Sequence, residues 1–112
     1  MSKKYIYLFG LILIAATTLR FFGNGYDAYR HLHPDERHLM MVAGRINFFD
    51  QLNPDSFAYG SLPVYFLKAV AQLSDSLLDT HFDNYDGLLI LGRRITSLID
   101  VITALVVYLL AF

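Results

Sequence analysis

Two long apolar segments, one near each end of the chain, constrain the fold more than any other feature. The first is Tyr5–Phe22, whose 18 residues would span about 27 Å as a helix, close to the roughly 30 Å of a bilayer's hydrocarbon core. The second is Ile95–Phe112, with Leu88–Leu91 extending its start. The pattern predicts an all-α membrane protein with transmembrane helices at residues 5–22 and 88–112.

The charges around the apolar segments predict the orientation of the chain. Lys3 and Lys4 precede the first segment, so the positive-inside rule predicts that residues 1–4 are cytoplasmic. A cleaved signal peptide is the alternative, and it also leaves the following residues outside the cytoplasm. The second segment reaches Phe112 without a basic or polar flank. We therefore expect a truncated second span and the N-terminal part of a longer, multi-pass protein of the cell membrane.

The segment between the spans, residues 23–87, is expected to be a non-cytoplasmic loop. Nine of the ten acidic residues lie within residues 24–92, and the formal net charge is −1, which argues against a nucleic-acid partner. Because Cys is absent, thiolate metal sites and Cys nucleophiles are excluded.

Helical periodicity in the loop predicts two amphipathic helices, at about residues 35–49 and 62–78, lying on the membrane surface. An Asn53-Pro54-Asp55 turn separates them. In the first helix Asp35 shares a face with apolar residues such as Leu39 and Ile46, so we expect its carboxylate to point towards whatever that face packs against.

One short motif carries three histidines, two acids and an arginine between the first span and the first loop helix. It reads His31-Leu32-His33-Pro34-Asp35-Glu36-Arg37-His38. From the residues alone three interpretations stay open. The motif is the start of a helix whose acids favour the helix dipole, a divalent-metal site with a spacing that fits no strong zinc pattern, or a site where Asp35 acts as a general base.

The order of motifs along nearly the whole chain resembles the multi-spanning glycosyltransferases of the GT-C superfamily, in the branch of protein O-mannosyltransferases and lipid A aminoarabinose transferases. The resemblance is carried by His33-Pro34-Asp35-Glu36 after the first span, Asn53-Pro54, residues 57–65 (FAYGSLPVY), and residues 92–98 (GRRITSL) leading into Asp100.

The resemblance implies transfer of a sugar from a polyprenyl-phosphate-linked donor to a lipid, protein or glycan acceptor on the non-cytoplasmic face. Asp35 would be the catalytic base and Glu36 the neighbouring acid that orients the acceptor. Arg93 or Arg94 would hold the lipid phosphate, since a guanidinium matches phosphate in a bidentate way. His33, Arg37 and Tyr59 are the accessory candidates.

One departure from the family pattern leaves the donor open. Relatives of the aminoarabinose-transferase type carry Glu-Lys-Pro before the second loop helix, whereas this chain has Ser61-Leu62-Pro63. The alternative function is a small two-span membrane protein whose acidic loop binds a partner or a metal. Asp100, an acid inside the second apolar segment, is expected to be paired with other helices.

Overall fold

The computed structural model of the chain describes residues 3–111, and the regular elements in that range are helices, with no strand. It contains α1 (Lys3–Phe22), a 3-10 turn (Gly23–Gly25), α2 (Pro34–Arg45), α3 (Leu62–Leu78) and α4 (Tyr85–Leu110). The predicted all-α class is therefore confirmed. The chain divides into two compact units, one of them Asp27–Gly92 and the other formed by the chain through Tyr26 and from Arg93 onwards.

Helix α2 opens the middle unit, and its start follows from local sequence. Pro34 occupies the first turn, and His33 before it is extended, with φ −78° and ψ 124°, because a residue that precedes proline is pushed out of the α region. The Nδ1 atom of His33 accepts a hydrogen bond of 3.3 Å from the backbone N–H of Asp35. This bond satisfies one of the donors that a helix N-terminus leaves unpaired.

Helix α2 ends four residues earlier than the pattern predicted, at Arg45 instead of residue 49. The backbone of Ile46 is extended, and Asn47 and Gln51 then exchange backbone hydrogen bonds of 2.7 and 2.8 Å. The side chain of Asn47 also accepts from the N–H of Phe49. This tight turn competes successfully with a further helical turn and leaves Phe49 exposed.

Helix α3 covers Leu62–Leu78, the predicted range, and packs against α2. It ends at Asp79, which adopts the left-handed conformation with φ 53°. The buried core of this unit comes from both helices and the start of α4, and includes Met40, Ala43, Ile46, Val64, Leu67, Ala71, Leu88 and Leu89. Each loop helix thus buries part of its apolar surface within this unit, while Phe66, Leu73 and Leu77 of α3 stay exposed.

The second unit consists of α1 and the part of α4 from Arg93 onwards, which run antiparallel. The rings of Phe9 and Tyr108 stack with centroids 3.6 Å apart, and Arg20 Nε donates to Asp100 Oδ2 at 3.0 Å. Further along, Ser97 Oγ donates to Asn24 Oδ1 at 2.9 Å. These contacts join later residues of α1 to earlier residues of α4, as expected for an antiparallel pair. Asp100, the acid within α4, therefore has a basic partner, Arg20, on the neighbouring helix.

In residues 3–111, one segment is long and apolar enough to cross a membrane, namely α1 with the turn that follows it. None of the residues of α1 is buried, and most of its large apolar side chains, such as Leu11, Ile14 and Leu19, are exposed. Helix α4 has 26 residues, but Arg93, Arg94 and Asp100 interrupt its apolar stretch.

Candidate functional site

A strained loop leads into the histidine-rich motif. Ala28, Tyr29 and His31 have φ values of 52°, 58° and 56°, a region that residues with a side chain rarely adopt. The buried carboxylate of Asp27 holds this loop, because it accepts hydrogen bonds from the backbone N–H groups of Tyr29 and Leu32. Such backbone strain persists only where the surroundings enforce it, and it concentrates at functional sites.

His31 points inward and joins the loop to the first turn of α4. Its side chain is 6% exposed, and its Nε2 donates to Asp86 Oδ1 over 2.8 Å. The imidazole also stacks on the ring of Tyr85, with centroids 4.0 Å apart. These contacts give His31 a structural position within the middle unit.

Asp35 lies in the first turn of α2, and its side chain is 58% exposed. The expectation that its carboxylate points into the packing face was wrong, because the buried part of α2 begins later, with Met40, Val42 and Ala43. The hydroxyl of Tyr59 donates to Asp35 Oδ1 at 2.8 Å, while Asp35 Oδ2 lies 3.9 Å from His33 Nδ1. The structure therefore brings together three predicted site residues, Asp35, Tyr59 and His33.

Tyr59 connects Asp35 to a second histidine. Its ring lies edge-on to the ring of His38, with centroids 5.7 Å apart, and a hydrogen bond of 3.2 Å joins His38 Nε2 and Ser56 Oγ. The hydrogen bond to Asp35, followed by the negative charge of that carboxylate, raises the pKa of Tyr59 above its ordinary 10.0. The phenol therefore acts as a neutral donor to one carboxylate oxygen.

The two remaining predicted residues of the motif flank this group on α2. Glu36 is partly buried, and Arg37 is exposed. The backbone N–H of Arg37 donates to the carbonyl of His33 and so closes the first turn of the helix.

The metal site that the spacing left open is not formed. Between residues 3 and 111, no three His, Cys, Asp or Glu side chains lie close enough to hold a metal ion. The three histidines of the motif have different hydrogen-bond partners. His31 pairs with Asp86, His33 accepts from the backbone of α2, and His38 pairs with Ser56.

Arg93 and Arg94 belong to the unit that contains α1, and the structure distinguishes them. Arg93 is 9% exposed. Its Nη1 donates to the carbonyl of Asn24 at 2.8 Å, and its guanidinium lies 4.7 Å from the centre of the Tyr26 ring. Arg94 is exposed. Of the two, Arg94 presents its charge outward.

Two acids that the sequence analysis did not single out organise the end of α3. The carboxylate of Asp75 accepts from the backbone N–H groups of Phe82 and Asp83, at 2.6 and 2.8 Å, and from the hydroxyl of Thr80. Burial raises the pKa of Asp75, but these hydrogen bonds, helped by the nearby His81, outweigh it and leave the pKa below 3.8.

Asp83, positioned in this way, forms an ion pair with the buried ammonium of Lys68. A lysine on the apolar face of a helix was the sequence signal for this pair, since a buried charge needs a partner. The identity of that partner depends on the loop after α3.

The described residues define an all-helical chain with one helix suited to a membrane and a helical unit that presents an exposed, tyrosine-bound carboxylate. Compared with protein-family models, curated proteins and solved structures, the chain has no match.

Proposed function

We propose that this chain is the N-terminal part of an integral-membrane glycosyltransferase that uses a polyprenyl-phosphate-linked sugar. The observation that carries the proposal is the carboxylate of Asp35, which is exposed in the first turn of α2 and bound through one oxygen by Tyr59. The order of motifs around it, from the first span to Gly92-Arg93-Arg94, is the second support.

In the proposed reaction Asp35 acts as the general base. A hydroxyl or amine of the acceptor gives its proton to the carboxylate as its oxygen or nitrogen bonds to the anomeric carbon of the sugar. The bond from that carbon to the phosphate oxygen breaks, and its electron pair leaves with the lipid phosphate. Because Tyr59 donates to Oδ1, Oδ2 is the oxygen that is placed to take the proton.

Other residues have supporting roles in this proposal. Glu36, next to Asp35 in the first turn, orients the acceptor. The lipid phosphate leaves as a dianion or monoanion and needs a cation near it. Arg94 is the better candidate for this task, since it is exposed whereas Arg93 is 9% exposed. Tyr59 positions Asp35, and His33 and Arg37 remain accessory.

The proposal includes a topology in which α1 and the latter part of α4 both cross the membrane. The unit of residues 27–92 then lies on the non-cytoplasmic side, where polyprenyl-phosphate sugars are used by the resembling enzymes. The outward-facing apolar surface of α1 and Lys3 and Lys4 before it support this orientation.

The test is the substitution Asp35→Asn in the complete protein. It keeps the shape of the side chain and its acceptor oxygen for Tyr59 but removes the base, so we expect transfer to fall by about 10²-fold or more. Sugar transfer is measured in membranes at matched protein levels. Asp50→Asn, the same chemical change at another exposed acid of this unit, is the control and should leave transfer unchanged. Near-normal transfer by the Asp35→Asn protein would refute the assignment.

A partner-binding loop without transfer chemistry is the alternative class of function. Its metal-binding form loses its basis because residues 3–111 contain no group of three metal-ligating side chains.

A further inference from the structure

A cleft of about 390 Å³ lies in the unit of residues 27–92, between the end of α2, the middle of α3 and the start of α4. This volume falls in the range of small-molecule sites, roughly 300–1,000 Å³. The α2 residues that line it run from Met40 to Arg45. Met40, the nearest of them to Asp35, lies five positions after it, or about 7.5 Å along the helix. Neither Asp35 nor Tyr59 lines the cleft, which is therefore separate from the Asp35 site.

Lys68 lines this cleft and has hydrogen-bonding capacity to spare. Its side chain is 5% exposed, and its ammonium donates to Asp83. An ammonium has three donors, and Asp83 is the one acceptor that Lys68 has among residues 3–111. The other oxygen of Asp83 accepts from Gln72. Unused donors on a buried charge are costly, so the geometry leaves a position for an acceptor that the protein does not supply.

The charge of the cleft indicates which kind of acceptor fits. Lys68 and Arg45 contribute two positive charges and Asp83 one negative charge, which leaves the lining with one net positive charge. Arg45 is exposed at the rim, and a guanidinium binds phosphate oxygens in pairs. A phosphate group between Lys68 and Arg45 would satisfy both.

The rest of the lining is apolar, which constrains the part of the ligand next to the phosphate. Met40 and Leu88 are buried, and Met41 and Tyr85 are partly exposed at the opening. Methionine side chains adapt to irregular hydrocarbon ligands. A ligand with a hydrocarbon chain beside its phosphate therefore matches both halves of the cleft.

We propose that this cleft binds the phosphate end of an amphipathic phosphate ester. The phosphate accepts from Lys68 and Arg45, and the first methylene groups lie along Met40, Met41 and Leu88. The proposal does not depend on the glycosyl transfer reaction. The same chemistry occurs in a membrane lipid and in a soluble phosphate ester, and the experiment distinguishes these sources.

Octyl phosphate is a suitable probe, titrated calorimetrically into the full chain in an uncharged maltoside detergent. The parent protein is expected to bind it, and Arg45→Gln is expected to weaken the Kd by about tenfold or more through loss of a charge-assisted contact. Arg30→Gln removes the same charge from another exposed arginine of this unit and should leave the Kd unchanged.

A second variant blocks the cleft without touching a charge. A Cβ at Gly44 would meet no atom within 4 Å, and Gly44 lines the cleft, so Gly44→Leu should fill the opening, leave the fold intact and abolish binding. Equal binding by the parent, Arg45→Gln and Gly44→Leu proteins would overturn the proposal, as would an absence of binding in the parent.

The source of the phosphate is then identified by competition in vesicles. The protein is reconstituted in phosphatidylcholine with and without phosphatidic acid, and octyl phosphate is titrated again. A higher apparent Kd in the presence of phosphatidic acid supports a lipid headgroup as the ligand. An unchanged Kd supports a soluble phosphate ester.

Discussion

The hydroxyl of Tyr59 gives the carboxylate of Asp35 its orientation. Tyr59 lies 24 positions after Asp35 in the sequence, in the loop before α3, so no helical periodicity relates the two residues. The sequence analysis named both, Asp35 from its motif and from the family resemblance, and Tyr59 as an accessory candidate. It did not predict their hydrogen bond, because that bond depends on how the loop folds back over the first turn of α2.

This contact predicts a change in the ionisation of Tyr59. Its pKa is raised because the neutral phenol donates to a carboxylate and because a phenolate would lie beside that negative charge. Asp35→Asn removes the charge, so we expect the pKa of Tyr59 to fall towards 10.0. The measurement is phenolate absorbance against pH, with Tyr59→Phe subtracted to isolate this residue from the other seven tyrosines.

The direction of the pKa shift of Tyr59 also determines the pH range in which its contact with Asp35 stabilises the fold. A raised pKa in the folded protein means that the contact stabilises the fold below the ordinary pKa of tyrosine, and that this stabilisation is lost as the pH rises through the folded value. The contact is therefore constant near neutral pH. Identical titration of Tyr59 in the parent and in Asp35→Asn would contradict the hydrogen bond.

At the scale of the elements, apolar periodicity was sufficient to predict the helices and insufficient to predict their ends and polar contacts. The range of α3 follows from its apolar run and from Pro63 in its first turn. The end of α2 does not, because the turn from Asn47 to Gln51 uses hydrogen bonds that are as local as those of a helix. The pairing of Lys68 with Asp83 depends on the loop after α3, whose path is set by three hydrogen bonds to Asp75.

Two helical glycines provide a matched test of the packing in this unit. Gly44, near the end of α2, has open space where a Cβ would lie, whereas a Cβ at Gly87 in α4 would lie 2.7 Å from the carbonyl oxygen of Phe82. Gly44→Ala should therefore stabilise the protein by about 0.5 kcal/mol through the lower helix propensity of glycine. Gly87→Ala should destabilise it by about 1–3 kcal/mol through overpacking against backbone.

Both changes are measured as the free energy of unfolding in denaturant, in the same detergent. Because each replaces glycine by alanine within a helix, propensity favours both, and the difference between them isolates the steric term. A stabilising Gly87→Ala would show that the loop at Phe82 does not approach α4 as described.

At the scale of the whole molecule, the chain divides into a unit of its two ends and a unit of its middle. In the first unit the polar contacts lie at one end of the helix pair. Arg20 contacts Asp100, Asn24 contacts Ser97, and Tyr26 contacts Arg93. The contact described at the other end is the apolar stack of Phe9 on Tyr108. This gradient suits a helix pair with one end near a membrane surface.

The absence of cysteine from these 112 residues makes the proposed topology directly testable in this chain. When the 112-residue chain is expressed by itself, a single introduced thiol is the sole site for a membrane-impermeant maleimide. Asp50→Cys should be labelled on intact cells, since residues 27–92 are proposed to lie outside, and Lys3→Cys should be labelled only after detergent is added. Labelling of Lys3→Cys alone on intact cells would reverse the orientation.

The ion pair of Lys68 and Asp83 has a consequence for the order of events during folding. The two residues are 15 positions apart, and the bonds from Asp75 to the intervening loop span eight positions or fewer. Closing such short loops costs little chain entropy, and local contacts form early. The packing of α2 on α3 must bring together more distant parts of the chain, such as Phe48 and Gln72. We therefore expect the ammonium to meet its counter-ion before α2 packs on α3, so that the chain avoids an intermediate with a bare charge in a forming core.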